Sequence, residues 1–164
     1  MNANWSKMSD DHVEYVQDTC RSMLLFSIQV AIHQDDHGRF YVLDQPIGAS
    51  SWALETTQTL HSRPGCKLLT VDQCMFGLIV DPSGELLSQK GICFLPNMLR
   101  LKEALRGKSL CDGQHQHWVL NDANSTKASQ VYPKKFQQLV AREIQAMIND
   151  HRQDPKVRVE RRRH

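Results

Sequence analysis

No apolar run in this sequence approaches the ~20 residues that a membrane-spanning helix needs, and neither a repeat nor a low-complexity tract is present. The opening Met1-Asn-Ala-Asn-Trp-Ser-Lys7 is polar and lacks the apolar core of a signal peptide, so the expectation is a cytoplasmic or nuclear protein with no membrane partner. Cysteine is sparse and odd in number. Five, scattered without paired spacing, exclude a disulfide framework and read as reduced thiols. Charge of one sign is also missing: a net +2 is too little to argue for nucleic acid by itself. What remains is an ordinary globular composition, 40% hydrophobic and 23% charged over 164 residues, enough for one compact domain.

The chain is organised around residues 39–52. Phe40 to Leu43 is aromatic and β-branched, too short for a helix and bounded by His37-Gly38 and Pro46-Ile47-Gly48, which reads as a buried strand. Asp44 and Gln45 fall where that strand runs out, the position at which α/β sheets present polar groups to ligands. Ser50 or Ser51 then suits the cap of a helix starting near Trp52. Asp44, Gln45, Pro46, Ser50, Ser51 and Trp52 are therefore candidate binding residues, with Asp44 the best candidate carboxylate. The bland alternatives are a turn aspartate bonded to nearby backbone and a core indole.

Before this stretch, Asp10 or Asp11 caps a long helix with Val13, Val16, Cys20, Met23, Leu24, Ile28 and Ala31 on one face. In this reading Cys20 and Met23 are packing filler, and Gly38 makes a left-handed turn at the end. After it come a short helix to about Ser62 and a strand over Lys67–Val71. Asp81-Pro-Ser-Gly84 is strong turn chemistry, which predicts an antiparallel hairpin between Cys74–Val80 and Gly91–Leu95. Asn97 opens a helix stopped by Gly107. Trp118–Leu120 suits an edge strand, residues 121–130 a loop. Pro133 opens a last helix with Phe136, Leu139, Val140, Ile144, Met147 and Ile148 buried.

The expected fold is α/β: a small mixed sheet of four to six strands, including the hairpin, flanked by the long N-terminal helix and the C-terminal helix. Residues 1–9 read as a flexible start, 10–151 as one domain, and 152–164 as a basic, disordered tail. In that tail Arg161, Arg162 and Arg163 are the candidate phosphate contacts.

Cys111-x3-His115-x-His117 is the sharpest chemical cluster. Three soft or borderline ligands in one loop suit zinc, with Cys74 or Cys93 as the fourth. The alternative is a polar loop entering an edge strand, with Cys111 buried as a small apolar residue. No local signature singles out a Cys/His nucleophile, and no nucleophile elbow surrounds Ser50-Ser51.

Over roughly residues 20–135 the order strand, Asp44-Gln45-Pro46, helix, strand, Asp72-Gln-Cys-Met-Phe-Gly77 resembles the later half of cytosine-C5 DNA methyltransferases. Gln-Pro-x-Gly-Ala-Ser-Ser-Trp followed by Asp-Gln-Cys-x-Phe-Gly is also similar to a domain of copia-type retroelement polyproteins. The resemblance implies a partial methyltransferase-like fold with Asp44 in place of the glutamate that steadies the base. Its departures imply a chain leaning away from catalysis: Gly-x-Gly is absent, so is a Pro-Cys nucleophile, and Asp44 is one methylene short. The first expectation is a non-catalytic domain of mobile-element origin that binds nucleic acid, or a polyprotein partner, without a cofactor. The alternatives are half of a split enzyme that meets S-adenosylmethionine only with a cofactor-binding partner chain, and a zinc-stabilised interaction module.

Overall fold

The computed structural model describes residues 8–107, 109–121 and 123–153. The expectations for the first residues, and for Arg161, Arg162 and Arg163, therefore fall mostly or wholly outside the described residues. The chain is a mixed α/β fold with a small amount of sheet, opening on a long helix and closing on another. It divides into two compact units, one drawn from Met1–Thr70 with Gly91–Leu99, the other from Val71–Lys90 with Arg100–His164.

The first unit starts with helix α1 (Asp10–Asp36). Ser9 sits at its N-cap position without a side-chain bond, so Asp10 and Asp11 lie in the first turn instead of capping it, where their charge favours the helix dipole. At the far end Gly38 is left-handed, φ 63°, and its N–H closes on Asp35 O. Strand β1 (Val42–Pro46) follows, then a 3-10 turn (Ser50–Ala53) and helix α2 (Glu55–His61). Strand β2 (Leu69–Asp72) lies at the boundary between the units, and β4 (Gly91–Pro96), which comes after β3 (Leu87–Ser88) in the chain, completes a sheet of order β1–β4–β2. β1 and β4 are antiparallel, with Leu43 opposite Leu95 and Asp44 opposite Phe94. Ile28, Ala31, Tyr41, Leu43, Leu60 and Leu95 form the core here, with Leu24, Ile32 and Trp52 packed on it. Each fully buried aliphatic side chain is worth roughly 1.5–3 kcal/mol.

β1 begins two residues later than its composition suggests. Phe40 is exposed and the Tyr41 N–H donates to the side chain of Asn97 at 3.1 Å, so neither residue joins the ladder. Asp44 consequently lies in the middle of the strand on its exposed face, not at its tip. Met23, expected as packing filler, is 65% exposed.

The second unit contains β3, helix α3 (Leu99–Leu105), β5 (His117–Trp118), α4 (Ala123–Ala128) and α5 (Lys134–Gln153), with β3 and β5 pairing in parallel. Its buried residues include Val71, Phe76, Leu101, Leu105, Phe136 and Met147, and the Phe76 and Phe136 rings meet edge-on at 5.0 Å. The long hairpin expected from residues 74–95 is corrected to a much smaller one. Asp81 makes the turn, accepting from the N–H groups of Ser83, Glu85 and Leu86. The arms join only as far as Ser88 N–H to Leu78 O, 2.7 Å. Below that point Gln73–Phe76 is a 3-10 turn, while the apolar run Ile92–Leu95 pairs with β1. Two sheets, of three strands and of two, therefore replace the expected single sheet of four to six strands. The polar stretch expected as a loop holds α4, and the Lys90 ammonium donates to Ser129 O just beyond its end.

Candidate metal centre

Four ligand atoms from two parts of the second unit converge: Cys74, Cys111, His115 and His117, all within 4.8 Å of one another. Cys74 sits in the 3-10 turn Gln73–Phe76. That turn ends at Gly77 in the left-handed region, φ 82°, where the Gly77 N–H returns to Cys74 O at 2.9 Å. A side chain at Gly77 would strain the backbone that aims Cys74. The other three ligands come from the irregular segment leading into β5.

Asp72 holds that segment in place. Its buried carboxylate accepts the Cys111 N–H at 2.9 Å, and its own N–H donates to Ser109 O at 2.6 Å, so the loop is sewn to the end of β2 on both sides of Leu110. The Gly113 N–H approaches the Cys111 sulfur at 3.4 Å. Both imidazoles turn Nε2 toward that sulfur, His115 at 3.7 Å and His117 at 3.5 Å. Their rings stand edge-on with centroids 4.6 Å apart, which lets both nitrogens face one point.

These distances fit a metal ion. With Zn–S near 2.3 Å and Zn–N near 2.05 Å, the S···N edge of a tetrahedral site is about 3.6 Å, bracketed by the two Cys111–histidine separations. The outer nitrogen of His115, Nδ1, lies 3.7 Å from the Asp112 carboxylate, the kind of neighbour that orients a ligating imidazole. Burial pushes the Cys74 thiol up to about 12, and the neighbouring Cys111 and Asp72 add to the rise against a lowering by the Met75 N–H. A cation bound at Cys74 would offset that rise, since a coordinated thiol is deprotonated outright. The cluster is thus capable of holding a metal ion, with four protein donors and no fifth among the described residues.

Cys111, His115 and His117 come together as their spacing suggests, and the fourth donor is Cys74. Cys93 faces elsewhere, its sulfur 3.7 Å from the Thr70 hydroxyl. Asp72, which the sequence offers only as part of a motif, proves to position the site. Its signal was its place directly before Gln73-Cys74 at the end of a strand.

The stretch from Asp44 to Trp52 belongs to the first unit. Gln45 pairs with Cys93 within the ladder, and Pro46 ends the strand. Ser50 and Ser51 lie inside the 3-10 turn, whose N-cap is Ala49, and Leu54 stands at the N-cap of α2, so neither serine caps a helix. The indole of Trp52 is half-buried against the core and donates to Pro46 O at 3.1 Å, which ties down the loop between them.

No family model, no curated protein and no solved structure matches the chain.

Proposed function

We propose that the chain is a zinc-stabilised protein-interaction module. The observation that carries this reading is the convergence of one ligand atom each from Cys74, Cys111, His115 and His117, all within 4.8 Å of one another. Two thiolates and two imidazoles suit zinc over the hard cations that prefer oxygen. A four-donor protein set leaves no open position for water or substrate, which is the pattern of structural zinc. The need is physical as well: a two-stranded sheet with strands of two residues is too small to be stable alone. A metal joining the Gln73–Phe76 turn to the β5 loop supplies what that sheet lacks. Leu110, directly before the ligand segment, and Val119, two residues after it, are 60% and 68% exposed, so the clamped loop presents aliphatic side chains to a partner.

Elemental analysis of the purified chain tests this. Near-stoichiometric zinc is expected, with cobalt substitution giving the sulfur-to-metal absorption of a two-thiolate site. Protein that refolds and melts identically with and without a strong chelator would remove the reading.

A further inference from the structure

Helix α1 has two apolar faces, and the core uses one. Leu24, Ile28, Ala31 and Ile32 point into the first unit. On the opposite side Tyr15, Met23, Phe26 and Val30 are 68%, 65%, 67% and 40% exposed. At 3.6 residues per turn these four fall within an arc of about 80° and span roughly 22 Å, about four turns. Scattered exposed side chains need no explanation, but two aromatics, a methionine and a valine on one side of a helix, interrupted there by Thr19, do.

Charge identifies what fits there. Asp10, Asp11, Glu14 and Asp18 are all exposed in the same half of the helix as Tyr15, and Asp11 and Asp18 border the row on one side. Arg21 is the only lysine or arginine in α1. A parallel second copy would set Asp11 and Asp18 against the same residues of its partner. Like charges so placed oppose self-pairing. An anionic membrane would repel the same acidic rim.

We propose that this face of α1 docks a basic amphipathic helix of a partner protein, about four turns long, its apolar residues on Tyr15, Met23, Phe26 and Val30 and its cations toward Asp11 and Asp18. The inference goes beyond the zinc reading and does not use it.

The test is calorimetric titration of the full chain with an amidated leucine/lysine helical peptide of about 18 residues patterned at i, i+3, i+4, beside a leucine/glutamate peptide of the same pattern. Saturable binding of the basic peptide alone is expected, weaker at high salt and at least ~10-fold weaker for the double variant M23S/F26S, which keeps every charge. Both substitutions are at the surface, and an unchanged melting curve will show that the variant folds. Absence of binding, equal binding of both peptides, or binding that M23S/F26S leaves intact would overturn the proposal. So would a dimer in sedimentation that F26S dissolves, because the occupant would then be a second copy.

Discussion

The sulfur of Cys111 stands 3.5 Å from Nε2 of His117, six positions along the same loop, with His115 turned to the same sulfur. A segment this irregular has little else to hold three such side chains on one point. Asp72 anchors its backbone at Cys111, and His117 pairs with Leu87 in the β3–β5 ladder. If an ion supplies the missing restraint, removing one ligand should act on the metal and on folding together. Cys111→Ser is expected to lose most of its zinc. Wild type in free zinc at 100 times its dissociation constant should be about 2.7 kcal/mol more stable than in chelator, a difference the variant lacks. Denaturant unfolding of both proteins in both conditions checks this.

Asp112 touches no metal in this arrangement, yet its carboxylate faces the outer nitrogen of His115 at 3.7 Å. Asp112→Asn should leave the fold intact and weaken zinc binding by about tenfold, the low end of what such partners contribute, because Asp112 is half exposed. Competition against a chromophoric chelator reads that change directly.

Much of this was legible in the sequence where one local rule governed. Gly38 and Gly107 terminate helices because a left-handed residue was needed there, and both are left-handed in the structure. The Cys111–His117 spacing announced a ligand cluster because softness and proximity are local properties. Partner choice was not legible. The turn at Asp81–Gly84 forms as its residues dictate, but turn chemistry cannot say how far two arms stay paired. The buried run Ile92–Leu95 found β1, a partner almost fifty residues away. Helix α1 misled for another reason: Met23 is as apolar as Leu24, and periodicity cannot separate two apolar faces when both are present.

Leu95 puts the β1–β4 pairing to the test. It is fully buried, opposite Leu43 in the register, and part of the core that α1 covers. Leu95→Ala should cost about 2–5 kcal/mol, through lost burial and the cavity left behind. Val119→Ala, at a position 68% exposed, should change stability by less than about 0.5 kcal/mol. A similar small effect at Leu95 would mean that β4 does not lie in the core.

The end of α1 makes acid sensitivity predictable. Arg63 donates to Asp35 at 2.5 Å and also to Asp36, and Asn97 donates to Asp35 at 2.9 Å. The Arg63 guanidinium, foremost, and the Asn97 amide hold the Asp35 carboxyl below its ordinary value of 3.8, against a smaller upward push from burial. A carboxyl lowered in the folded state binds fewer protons there than in the unfolded chain. Its stabilisation is therefore complete above the unfolded value and is lost as pH falls below 3.8 through the folded value. Asp81, lowered chiefly by the Ser83 hydroxyl, adds a loss in the same direction. Arg63→Met removes the dominant partner of Asp35 together with the Asp36 contact, and leaves the partners of Asp81 in place. Its unfolding free energy should fall less steeply between about pH 4 and pH 2 than that of wild type, while the Asp81 share persists. Urea titrations across that window measure both slopes, and parallel slopes would show that Arg63 does not set the acid response of this helix end.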